Sequence, residues 1–179
     1  MSKLKVVLIG LPGSGKSTFG RVLAKELQVD FLDLDQLIEE KRGQTISSIF
    51  EKYGEGKFRE WETDSLNEVL ASDRAFVLAS GGGCPCFNDN MALINQHAIS
   101  VYLDVPLEEV SNRLFHSKAS VRPMFEGMDA GVITLKLKDL IAQRSPFYEE
   151  SKIKLSGTDF SAEYFMSELI HQLKTQPKS

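Results

Sequence analysis

Lys5-Val-Val-Leu-Ile-Gly-Leu-Pro-Gly-Ser-Gly-Lys-Ser-Thr18 joins an apolar run to a glycine-rich loop. Gly10, Gly15, Lys16 and Ser17 fill the pattern G-x-x-x-x-G-K-[ST], with a further glycine at Gly13. Glycines allow a turn tight enough for successive backbone N–H groups to point at anionic oxygens. The helix expected after the loop aims the positive end of its dipole at the same oxygens. Gly13, Ser14, Gly15, Lys16, Ser17 and Thr18 are therefore candidate phosphate-binding residues. Lys16 reaches the terminal phosphates as a point charge, and Ser17 offers a hydroxyl to Mg²⁺. A plain glycine turn with a solvated lysine is the alternative. Four fixed positions in a strand–loop–helix context make it the weaker one.

Working outward, the 179 residues fit one domain, with 42% hydrophobic and 26% charged residues as in ordinary globular proteins. The net charge of −4 argues against a general nucleic-acid surface, so an anionic ligand must be met by local basic residues. The first apolar run is spent on a strand rather than a targeting signal, and no stretch approaches the ~20 apolar residues that span a bilayer. A cytoplasmic protein without membrane or nucleic-acid partners is expected, and a monomer. Cys84 and Cys86 flank Pro85, which is poor disulfide geometry, and no Cys or His cluster completes a metal site. They read as reduced thiols. His97, His116 and His171 are scattered without ligand spacing.

Strands are expected over residues 4–9, 31–33, 75–79, 99–103 and 153–155. A helix over 16–27 is expected to carry Phe19, Val22, Leu23 and Leu27 on one stripe, and a last helix Phe165, Leu169, Ile170 and Leu173. The runs 75–79 and 99–103 look like central strands buried on both faces. Such alternation implies a three-layer α/β/α sandwich with a central parallel sheet. Two segments interrupt it. Residues 35–72 show helical pattern without a strand, suiting a substrate-binding insertion, and the polar 116–131 suits a mobile lid. Residues 176–179 read as a frayed tail.

Asp33 and Asp35 lie two apart at the end of an expected strand, so both face one site. One would hold a Mg²⁺-bound water while the other deprotonates an attacking hydroxyl. The alternative, Asp35 as only a helix cap, is one the phosphate loop makes the weaker. Arg59 and Glu62, three apart on an expected helix, suit a two-pronged grip on a carboxylate steadied by Glu62, or else a routine surface ion pair. Gly81, Gly82 and Gly83 follow a strand directly, which suggests close approach of backbone to a ligand. Arg113 leads into the lid segment, Arg122 lies within it and Arg144 follows on a later helix. An arginine over the γ-phosphate neutralises charge on its equatorial oxygens.

Together the loop 10–18, Asp33-x-Asp35, Phe58-Arg59-x-x-Glu62, Gly81-Gly82-Gly83, Arg122-Pro123 and Arg144-x-Pro146-x-Tyr148 resemble the shikimate kinase family over essentially the whole chain. The resemblance implies a P-loop NTPase fold like that of nucleoside monophosphate kinases. It also implies phosphorylation of the 3-hydroxyl of shikimate with ATP and Mg²⁺, on the route to chorismate and aromatic amino acids. By motif position, Asp35, Arg59, Gly82 and Arg144 would bind shikimate, with Arg59 and Arg144 on its carboxylate and Asp35 on its ring hydroxyls. Gly81 and Gly83 complete that wall. Lys16 and Arg122 would stabilise the transferring group, Ser17 would ligate Mg²⁺ with Asp33 supporting it through water, and Arg113 would stack near adenine. Met124 replaces a usual leucine, Lys152 a usual alanine, and no arginine stands near Thr158-Asp159. Asp104 looks like a generic Walker-B acid, a job the resemblance gives to Asp33. Two other readings stand beside it: a relative acting on gluconate or a nucleoside monophosphate, and a nucleotide-controlled switch. The switch lacks an N-K-x-D guanine-reading motif.

Overall fold

Val6, Val7, Leu8 and Ile9 are all fully buried, which places the opening run at the centre of a sheet. The computed structural model describes residues 3–116, 125 and 127–175, apart from the side chains of 173–175. Arg122, most of the expected lid and the expected tail lie outside the described residues. The strands are β1 (Lys5–Ile9), β2 (Asp30–Asp33), β3 (Phe76–Ala79), β4 (Ile99–Asp104) and β5 (Ile153–Ser156). They form one parallel sheet in the order β2-β3-β1-β4-β5. Val7 lies opposite Leu78 of β3 and Ser100 of β4.

Between the strands run α1 (Lys16–Leu27), α2 (Leu34–Arg42), α3 (Ile46–Ala71), α4 (Asn90–His97), α5 (Leu107–Phe115), α6 (Ala130–Tyr148) and α7 (Ala162–Thr175). Alternate residues of β1 serve opposite faces. Val6 and Leu8 pack into a cluster with Phe19 and Leu23 of α1 and Phe165 of α7. Val7 and Ile9 join Ile38, Leu66, Ile94, Val110 and Leu137 from α2 to α6. Three layers result, and a strand buried on both faces must read as a continuous apolar run.

Two stripe residues prove to be outside the core. Val22 is 48% exposed and Ile170 47%. On α1 the buried face instead runs through Phe19, Gly20, Leu23 and Ala24. A Cβ at Gly20 would stand 2.6 Å from the Phe31 ring, so α1 lies on the sheet through its small residues and turns Val22 to solvent.

Residues 35–72 hold α2 and α3 and no strand, as their pattern suggests. Thr45 caps α3 by accepting from the N–H of Ser48 at 3.2 Å. At Gly54 (φ 77°, ψ 170°) the chain leaves the helical region, so α3 is two helical stretches meeting at a bend. Lys152, the departure with no obvious role, spans two chain segments: its Nζ donates to the carbonyls of Asn95 and Ala98 at 2.5 and 2.8 Å. No helix among the described residues is long and apolar enough to cross a membrane.

Candidate active site

In a parallel sheet every strand delivers its carboxyl end to the same edge, where ligands collect. β1 ends in the glycine loop, β2 in Asp33, β3 just before Gly81 and β4 in Asp104. The loop turns into α1 through Gly15, which has a left-handed backbone (φ 92°), and the first turn of α1 carries no acidic residue. Its positive end is thus left to an anion. Lys16 is almost fully buried, and its Nζ donates to the carbonyls of Gly10 and Leu11, both at 2.9 Å. Ser17 Oγ donates to Asp33 Oδ2 at 2.9 Å.

The two aspartates do not share a strand face. β2 stops at Asp33, which caps α2 by accepting from the Gln36 N–H at 3.4 Å, and Asp35 lies in the first turn of that helix. Capping therefore belongs to Asp33, and Asp35 is left to the site. Asp104 is occupied elsewhere: it accepts from the Tyr102 hydroxyl at 3.2 Å and pairs with Lys154 Nζ at 3.2 Å.

The glycine triplet gathers the candidate acceptor residues. A Cβ at Gly81 would stand 2.8 Å from Glu62 Oε1 and 3.1 Å from Asp35 Oδ1. At Gly82 it would meet Arg144 Nη1 and Pro12 Cδ, each at 3.0 Å, and at Gly83 Arg59 Nη2 at 2.7 Å. Four side chains from α2, α3 and α6 (Asp35, Arg59, Glu62 and Arg144) thus rest directly on bare backbone beside the phosphate loop. Only glycine leaves that room. Tyr148, fully buried, fixes the turn from α6 by donating its hydroxyl to the Gly82 carbonyl at 2.5 Å.

Arg59 is no routine surface pair. Its Nη1 donates to the fully buried Glu62 at 2.7 Å, while Nε and Nη2 reach Glu55 Oε1 at 3.2 and 3.0 Å. The guanidinium also lies 4.2 Å from the Phe87 ring centroid. Burial pushes the Glu62 carboxyl up to about 7, against the pull of Arg59. Burial disfavours the Arg59 cation, yet Glu62 and Glu55 outweigh it and hold the group above its usual range. Cys84 is buried and its thiol is pushed well up by burial, with Glu62 and Asp35 adding to the rise.

Arg113 lies across the edge beside the phosphate loop. It binds Glu109 at 2.6 Å, the Thr158 carbonyl at 3.0 Å and the Ser14 carbonyl at 3.5 Å. It so ties the phosphate loop to the 157–160 turn, where the sequence offers no arginine. Glu55, Phe87 and the burial of Glu62 were not foreseen from sequence. Glu55 did carry a signal, standing four residues before Arg59 on one helix face. A separate cavity of about 130 Å³, lined by Leu11, Ser14, Tyr102, Val105, Val110 and Ile141, sits behind the loop and away from Arg59.

The shikimate kinase family model matches residues 12–174. The chain belongs to the shikimate kinase family. It is an enzyme, an ATP-using kinase of shikimate in aromatic amino acid biosynthesis. It is 38% identical over 155 residues to the shikimate kinase of Clostridium botulinum (strain Okra / Type B1), covering 87% of this chain and 88% of that one. With the enzyme of Parabacteroides distasonis it shares 37% over 164 residues, 92% and 91% of the two chains. Among solved structures, shikimate kinase from Bacteroides thetaiotaomicron superposes with a TM-score of 0.86 at 31% identity, covering 96% of this chain and 98% of that one. The Acinetobacter baumannii enzyme in complex with shikimate gives 0.80 at 38%, over 96% and 93%. A Mycobacterium tuberculosis APS kinase, at 0.59 and 18% over 97% and 98%, shares the fold alone.

Proposed function

We propose that this chain transfers the γ-phosphoryl group of ATP to the 3-hydroxyl of shikimate through the residues gathered on Gly81–Gly83. The contact of Asp35, Arg144 and Arg59 with that triplet, beside Lys16, carries the reading. Two guanidiniums around bare backbone, with Asp35 beside them and Glu62 paired to Arg59, suit a small acid bearing hydroxyls better than a nucleoside monophosphate. Arg59 and Arg144 grip the carboxylate, and the pair with Glu62 keeps Arg59 aimed. Asp35 accepts the hydroxyl proton as the new O–P bond forms and the bond to the leaving ADP oxygen breaks.

Loop amides from Gly13 to Thr18, with Lys16, hold the phosphates, and Arg113 flanks the adenine end. Arg122 is assigned by its motif alone, to the charge on the transferring group. Ser17 and Asp33 offer an oxygen-only donor pair. The described residues hold no group of three or more acidic, His or Cys side chains for a metal. Both facts fit Mg²⁺, which takes its remaining ligands from phosphates and water and, when bound, neutralises phosphate charge. One domain with an acceptor-binding insertion at 35–72 and a lid at 116–131 completes the reading. All roles fall on one chain, so a monomer suffices, and the free thiols suit a reducing cytoplasm.

ADP release measured with and without shikimate tests the assignment. Turnover is expected only with shikimate. Asp35→Asn should lower kcat by about 10²–10⁴ with ATP binding intact. Arg59→Ala should weaken shikimate binding by at least ~30-fold in calorimetry, from loss of a buried charged contact. Wild-type rate in the first variant, or wild-type affinity in the second, removes that residue from its role. Turnover with gluconate or a nucleoside monophosphate instead would reassign the acceptor.

A further inference from the structure

Glu62 is fully buried, and its two carboxyl oxygens live differently. Oε2 accepts from Arg59 at 2.7 Å, whereas Oε1, equally buried, has no hydrogen-bond partner among the described residues. Oε1 faces the Gly81 backbone across from Asp35 Oδ1. An ionised carboxylate kept from water needs donors at both oxygens, and one left bare is costly. The charged and titratable groups facing it are Arg59 and Glu55 from α3, Asp35 from α2, Arg144 from α6, and the thiols of Cys84 and Cys86. With Glu62 ionised, three carboxylates stand against two guanidiniums.

We propose that acceptor binding is proton-linked through Glu62, which takes a proton from solvent onto Oε1 as the acceptor's carboxylate docks on Arg59 and Arg144. This rests on the reading above, with shikimate as the acceptor. The incoming carboxylate adds negative charge, engages both guanidiniums that favour the ionised form, and expels water. Each change favours the neutral acid. Protonated on Oε1, Glu62 still accepts from Arg59 through Oε2 and so keeps it aimed, while leaving its charge to the ligand.

Burial already raises the free Glu62 carboxyl to about 7, so the sign of the uptake follows. At pH 7 part of the free protein is still ionised, and binding takes up a fraction of a proton. Below about pH 5 the site is filled beforehand and uptake vanishes. Calorimetry of the whole chain with shikimate at pH 7, in PIPES and in imidazole, reads this as a difference in observed heat, because the two buffers ionise with different enthalpies. Net uptake of a fraction of a proton is expected, falling toward zero at pH 5, and Glu62→Gln should make the heats agree. Equal heats for the wild type in both buffers would overturn the inference, as would undiminished uptake at pH 5 or in the glutamine variant. The wild-type pH series decides the matter even if that variant does not fold. Absence of both binding and turnover with shikimate would bring down the acceptor assignment itself, and the inference with it.

Discussion

A methyl group added at Gly83 would press on the tip of Arg59, a flexible end that can yield, rather than on backbone. Gly83→Ala should therefore fold normally and lose function selectively. Its KM for shikimate is expected to rise about 10-fold, worth ~1.4 kcal/mol of misplaced guanidinium, with the KM for ATP unchanged. Steady-state kinetics against each substrate checks the split, and a rise in both would show a general distortion. The spacing of Arg59 and Glu62 was readable from sequence as a helical pair. Their burial was not, because it depends on Gly81–Gly83 and α2, distant in sequence. Burial turns an exposed pair of under about 1 kcal/mol into one whose disruption leaves an uncompensated charge.

Among the elements, the strands were legible because each central one is covered on both faces and must be apolar throughout. Helix faces were less so. The stripe of α1 is set by how closely Gly20 approaches Phe31 of β2, which no periodicity within α1 encodes. The change from strand to helix between Asp33 and Leu34 was likewise hidden, since the aspartate pattern suits a strand end and a helix cap equally. Lys152 belongs at this scale too. It fastens the end of α4 to the start of β5, at the opposite end of the parallel strands from the glycine loop. Lys152→Ala should cost about 1 kcal/mol in urea unfolding, the worth of ordinary hydrogen bonds, with both KM values unchanged. A shift in either KM would tie that clamp to the site.

For the whole molecule, the parallel sheet sets two binding regions side by side on one edge while building them from different parts. The phosphate loop belongs to β1 and α1, and the proposed acceptor residues to α2, α3, α6 and the glycine turn. Ligands should therefore stabilise the fold separately. At 100 times its Kd, either a non-hydrolysable ATP analogue or shikimate adds about 2.7 kcal/mol, raising Tm by roughly 5–10 °C. Lys16→Ala should lose most of the shift from the analogue and keep that from shikimate. Loss of both in a thermal melt would mean that the two regions form as one. The triplet at 81–83 has a bearing on descent as well as on chemistry. Replacing any of the three glycines displaces a different partner, so neutral drift has no single step through this wall. A lineage moving toward another acceptor would have to exchange the surrounding side chains and inherit the bare backbone unchanged.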